Sequence, residues 1–175
     1  KKQEAGLPKV KTVYVNVQEK KQLENVFSLL LDQGEIANLA VYVKDEHMLQ
    51  TLSSMAVKAP ETKVLFLQNG EQADDCLPVC DVAITQYDPA TLYKCFKLGV
   101  PSIIAKSGEH EQADISYLAS HELCLVAKND LDIVGLLYRL LQSDVGEKIA
   151  SNGKKWVEMS SLENIANFLT AYIAV

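Results

Sequence analysis

Arginine is nearly absent from this chain: Arg139 stands alone among 175 residues. With 17 Lys+Arg against 23 Asp+Glu the net charge is −6. That argues against a nucleic-acid binder, which needs clustered basic side chains to neutralise phosphates. Long apolar runs are missing too. None approaches the roughly 18 residues of a membrane span, and no signal peptide is visible, so the expectation is a cytoplasmic protein with no membrane span. There is no G-x-G-x-x-G fingerprint, Walker loop, nucleophile elbow or zinc signature. Asn16-Val17-Gln18 stands where a glycine-rich first turn would be, which argues against a dinucleotide enzyme.

Cysteine is present but unpatterned. Cys76, Cys80, Cys95 and Cys124 show no C-x-x-C spacing and have no histidine at zinc-finger intervals. Cys95 and Cys124 fall at apolar positions and are expected to act as reduced, small hydrophobes. Cys76 and Cys80 can share a helix face, with a redox or metal role as the weaker alternative.

What remains is an ordinary globular composition, 48% hydrophobic and 23% charged. A chain of this length buries a substantial core as one domain, 1–175. Its opening Lys1-Lys2-Gln3 reads as the continuation of something longer.

The pattern alternates throughout. Val10–Val17 reads as a first strand, with Val13, Val15 and Val17 in alternation. Gln18–Gln33 follows as an amphipathic helix carrying Leu23, Val26, Phe27, Leu30 and Leu31, with Gly34 as its stop. Leu39–Val43 and Lys63–Leu67 are strands around a helix over Asp45–Ala56, whose Met48, Leu49, Leu52 and Met55 form a core stripe. Gln68-Asn69-Gly70 is a turn. Gln72–Cys80 reads as a short acidic helix and Asp81–Thr85 as the fourth strand.

Asp88 suits an N-cap and Pro89 the first helical position, so a further helix starts there. It carries Leu92, Cys95, Phe96 and Leu98 and ends at Gly99, before a fifth strand over Ser102–Ala105. Helix Glu109–Ser120, strand Cys124–Val126 and helix Asp130–Gln142 (Leu131, Val134, Leu137, Leu140, Leu141) follow. Gly146–Trp156 and Ser161–Tyr172 close the chain as helices. The fold class is therefore α/β: a doubly wound, Rossmann-like parallel sheet of about six strands with helices on both faces. In such sheets ligands lie beyond the carboxyl ends of the strands, which makes the Thr85–Pro89 turn the first candidate site.

Cys80-Asp81-Val82-Ala83-Ile84-Thr85, Thr91 and Leu98-Gly99-Val100-Pro101 together resemble the donor-binding segment of GT-B glycosyltransferases. The resemblance is to the group that holds the N-acetylglucosaminyltransferases of peptidoglycan synthesis and of the dolichol pathway. Its members carry an A-D-h-h-I-(S/T) strand, a glycine-containing turn, a T-x-x-E helix and an L-G-x-P exit. Downstream, His110-Glu111-Gln112-Ala113-Asp114-Ile115-Ser116-Tyr117-Leu118 is similar to that group's H-Q-x-x-N-A-x-x-L pattern.

The resemblance implies the carboxyl-terminal, nucleotide-sugar-binding half of such an enzyme, with the acceptor-binding half absent. It implies a UDP-sugar or similar donor as substrate, transfer of its sugar, and no metal or other cofactor. Thr85, Gln86, Thr91, His110, Glu111 and Gln112 would line the donor pocket, and Lys94 or Lys106 would meet phosphate. Thr85-Gln86-Tyr87-Asp88-Pro89 also echoes, more distantly, the T-D-Y-S-S turn of polymer-forming glycerophosphotransferases.

The chain departs from the group where the phosphate would sit. The glycines that let backbone N–H groups approach a diphosphate are replaced by Tyr87, Asp88, Pro89 and Ala90. Lys94 stands where the helix normally carries an acid, and Glu111 and Asp114 replace the amide pair, unless an offset of one restores Gln112. These changes leave a second reading open, a non-catalytic interaction or regulatory module that keeps the fold. Of the other candidates, Glu109-His110-Glu111 can contact a sugar or move a proton, or simply be an acidic helix start. The Gln68-Asn69-Gly70 turn can flank a base or be a plain turn, and His47 and His121 are expected at the surface.

Overall fold

The computed structural model describes residues 11–33, 38–105 and 109–159. Six strands form one all-parallel sheet: β1 (Thr12–Asn16), β2 (Asn38–Tyr42), β3 (Lys63–Leu67), β4 (Val82–Thr85), β5 (Ser102–Ile104) and β6 (Leu125–Val126). Their order is β3-β2-β1-β4-β5-β6, so the chain winds outward from β1 and then reverses at β4. The crossovers contain α1 (Lys20–Leu31), α2 (Glu46–Ala56), α3 (Gly70–Cys76), α4 (Pro89–Leu98) and α5 (Gln112–Ser120). After β6 come α6 (Asp132–Gln142) and α7 (Val145–Met159). The expected doubly wound α/β architecture is what the chain adopts.

Period-two alternation sends side chains to opposite faces of the sheet. Val13, Val15, Val41, Ile84 and Ile103 meet Phe27, Leu52 and Leu137 of α1, α2 and α6 on one face. On the other, Tyr14 lies between Ala40 and Ala83 of the flanking strands, whose small side chains leave room for its ring. Ile104 there meets Leu92, Phe96 and Leu118 of α4 and α5. The central strands are buried on both sides and the edge strand β3 is not, with Leu65 55% exposed.

Helix ends follow local chemistry. Gly99 adopts φ 71°, and its N–H and that of Val100 return to the carbonyls of Phe96 and Cys95 at 3.1 and 2.9 Å. This is a left-handed glycine cap, as the Leu98-Gly99-Val100-Pro101 exit suggests. Most strand and helix ends differ from expectation by a residue or so, and α7 runs from Val145 to Met159; four differences have a local reason. The first helix begins at Lys20, not Gln18, because Glu19 is extended and caps it. The acidic helix begins at Gly70, capped by Asn69, and tightens into a 3-10 turn over Leu77–Val79, where Pro78 lacks a donor. Glu109–Glu111 is likewise a 3-10 turn ahead of α5. Finally, α6 starts at Asp132, so Leu131 falls outside it and is 73% exposed, while Ile133 joins Leu137 and Leu140 in the core. Gly34 and the helix expected over Ser161–Tyr172 lie outside the described residues.

Among the described residues, one buried side-chain polar atom lacks a partner. The Ser102 hydroxyl is fully buried and has no hydrogen-bond partner among the described residues. Ser102→Ala removes that desolvation penalty at almost no loss of contact and should raise the unfolding free energy by about 1 kcal/mol. Urea denaturation of both proteins checks it; a loss of stability would show that the hydroxyl is satisfied in solution.

Candidate functional site

The order in which strands are added reverses between β1 and β4, where Asn16 and Thr85 sit in register at the carboxyl edge. α1 leaves one side of this edge and α4 the other, which opens the crevice where doubly wound folds hold ligands. Here side chains of the chain itself bridge it. Gln86 Oε1 accepts from the backbone N–H groups of Gln18 and Glu19 at 2.7 and 3.3 Å. Asn16 receives the Gln18 side-chain amide at 2.5 Å and donates to Thr91 Oγ1 at 3.3 Å. Thr91 in turn donates to Asp88 Oδ2 at 2.5 Å, and Asp88 Oδ1 accepts the Ala90 N–H at 3.2 Å. A continuous chain of hydrogen bonds thus runs from the start of α1 to the start of α4.

The helix starts around this edge are already satisfied. Glu19 accepts the N–H groups of Lys21 and Gln22 at 3.0 and 2.7 Å. Asp45 accepts that of Met48 at 2.8 Å, and Asn69 that of Gln72 at 2.9 Å. The Lys20 ammonium 3.0 Å away, then the Met48 N–H, hold the Asp45 carboxyl below its usual range. Its contribution to stability is therefore present above the ordinary carboxylate range and lost as pH falls through its lowered value. α5 is different: its N-cap residue Glu111 makes no side-chain cap bond.

The residues singled out from sequence divide into three groups. Gln86 and Thr91 belong to the crevice network, and Thr85 lies beneath it, fully buried, its hydroxyl donating to the Gln86 carbonyl at 2.8 Å. Lys94 faces away, its ammonium bound to both Asp74 oxygens at 2.5 and 2.8 Å. His110, Glu111 and Gln112 lie at the start of α5 and do not hydrogen-bond to the crevice network among the described residues. Lys106 lies outside the described residues. The Gln68-Asn69-Gly70 turn is a helix cap, and His47 and His121 are exposed. Among the described residues, no three metal-ligating side chains come together.

Sequence reasoning missed the second concavity. α4, α5 and α7 enclose an apolar groove of about 320 Å³ beside the Thr85–Pro89 turn. Tyr87 at its rim donates to Asp114 Oδ2 at 2.9 Å. Partial burial first, then this hydrogen bond and the charges of Asp114 and Glu111, push the Tyr87 phenol up. The signal was available: Pro89, Tyr93 and Phe96 recur at helical spacing, as do Asp114, Tyr117 and Leu118. No described helix is long and apolar enough to cross a membrane.

No protein-family model and no curated protein matches this chain. Solved structures do. The C-terminal CMP-Kdo binding domain of WaaA from Acinetobacter baumannii is 11% identical with a TM-score of 0.62, over 84% of this chain and 89% of that one. MurG from the same organism is 15% identical with a TM-score of 0.70, over 87% of this chain and 47% of its own. The glycosyltransferase SnogD from Streptomyces nogalater is 17% identical with a TM-score of 0.68, over 95% of this chain and 45% of its own. This chain therefore spans less than half the length of the latter two. The expected resemblance to the carboxyl-terminal half of GT-B proteins holds for the fold.

Proposed function

We propose that this domain is a glycosyltransferase-fold module that acts by association with another domain or protein, and not by turning over a nucleotide-sugar donor. One observation carries the reading: the helix starts flanking the crevice are occupied by Gln86, Glu19 and Asp88 of the chain itself. A helix start favours an anion by about 0.3–1 kcal/mol. Two unit charges about 5 Å apart at an effective dielectric constant near 20 repel by about 3 kcal/mol. A diphosphate arriving beside Asp88 loses more than it gains. Pro89 offers no N–H in compensation, and Lys94 is engaged by Asp74.

A second reading has its own support, the start of α5, which lacks a side-chain cap. A donor phosphate would meet no competing side-chain carboxylate cap at that helix start. On that reading this is the donor half of a glycosyltransferase, another domain supplies the acceptor, and Gln86, Thr91, His110, Glu111 and Gln112 contact the sugar nucleotide, while the buried Thr85 only supports the turn. The WaaA domain's description as CMP-Kdo binding favours this reading by fold analogy only.

Titration of UDP, GDP, CMP and their sugars, followed by backbone amide NMR, separates the two. The expected result is no saturable shift up to millimolar nucleotide in a well-folded sample. Saturable shifts focused on Gln86–Thr91 or His110–Gln112 would overturn the module reading and establish the donor site.

A further inference from the structure

We propose that the groove between α4, α5 and α7 binds a small organic cation, an alkylated ammonium group carried on a short apolar body. This does not rest on the reading of the crevice. The floor is made by Leu92, Phe96 and Leu118, which are 2, 4 and 9% exposed. Its walls are aromatic. Trp156 meets Phe96 edge to face at 5.7 Å between ring centres, and Tyr93 and Tyr117 stand 46 and 51% exposed. Tyr117 lies against His121 at 4.1 Å between ring centres, the planes tilted by 33°.

The charge at the rim decides what such a lining selects. Aromatic faces carry negative electrostatic potential and attract a cation placed over them. Asp114 is the charged residue among the described residues of the lining, and none of them is basic. Glu111, the N-cap residue one turn before Asp114 at the start of α5, adds a second negative charge to that end of the helix. An anion is repelled there and a neutral apolar molecule gains only from the floor. A cation with methyl groups uses both. A groove of about 320 Å³ lies at the small end of ligand-site sizes, which suits a trimethylammonium head with a short arm.

Trp156 is the single tryptophan, so its fluorescence reports on the groove directly. The full chain is titrated with choline and, in parallel, with its uncharged isostere 3,3-dimethylbutan-1-ol at fixed ionic strength. Choline should give a saturable change, with the isostere at least about tenfold weaker, the order expected of a cation over aromatic faces. Asp114→Asn should weaken choline severalfold and leave the isostere unchanged. Tyr117→Ala should weaken choline as well; both side chains are exposed, so the fold is kept. Asp75→Asn, a remote exposed acid on α3, should change nothing. Equal affinity for the two ligands, an unaffected Asp114→Asn variant, or no saturable response would each overturn the proposal.

Discussion

Leu137→Ala should lower the unfolding free energy by about 3 kcal/mol, because three buried carbons are lost and a cavity remains. Leu137 is fully buried on the sheet-facing side of α6, in the core shared by α1, the central strands and α7. α6 packs directly on β4 and β5, the strands that carry Thr85 and the crevice edge. For a chain of this size, about 3 kcal/mol corresponds to a fall in Tm of about 10 °C. Leu131→Ala supplies the internal comparison: just before the start of α6 and 73% exposed, it should change stability by less than about 0.5 kcal/mol. Thermal and urea melts of the two variants test the pair. Equal effects would mean that α6 does not seat on the sheet as described.

Cys95 and Cys124 should react with a disulfide reagent such as DTNB about a thousandfold more slowly in the folded protein than in urea. Burial pushes both thiols from an ordinary value of 9.0 up to about 12, and the thiolate is the nucleophile. At pH 8 that moves the thiolate from about a tenth of the population to about one part in ten thousand. Cys80 is also pushed up, chiefly by burial, while its thiol donates to the Cys76 carbonyl at 3.3 Å. Cys76, half-buried, should be the fast-reacting thiol of the four. The sign of the linkage follows. A thiol whose folded value is raised gives stability that is whole below about pH 9 and is lost as pH climbs toward 12. Unfolding free energies at pH 8 and 10.5 should differ in that direction. Rapid native reaction at Cys95 would show that α4 opens.

The parts of this structure that obey local rules were legible in the sequence. Asp88-Pro89 starts α4 and Gly99 ends it, because a cap and a left-handed residue depend on their immediate neighbours. Met48 and Leu52 bury one face of α2 as their spacing requires. Leu131 misled because hydrophobic spacing places a residue on a stripe without saying where the helix starts. The crevice was legible in position but not in state. Gln86 reaches amides 68 positions earlier, and Lys94 an acid 20 positions earlier. Such long-range side-chain bonds leave no period in a sequence. For the same reason the aromatic groove, built from three helices, appeared only as separate stripes.

The strand order also sets a schedule. Because β1 is flanked by β2 and β4, a chain emerging from the ribosome can zip residues 12–67 into β1, β2 and β3 before β4 exists. During that interval Val13-Tyr14-Val15, the heart of the finished sheet, is an open edge with unpaired backbone groups, and such edges recruit other strands. At about 5–20 residues per second the 18 residues from Leu67 to Thr85 take about one to four seconds to arrive. Slow codons or substitutions that delay β4 lengthen this exposure, so they should increase aggregation during synthesis while leaving the stability of the completed molecule unchanged.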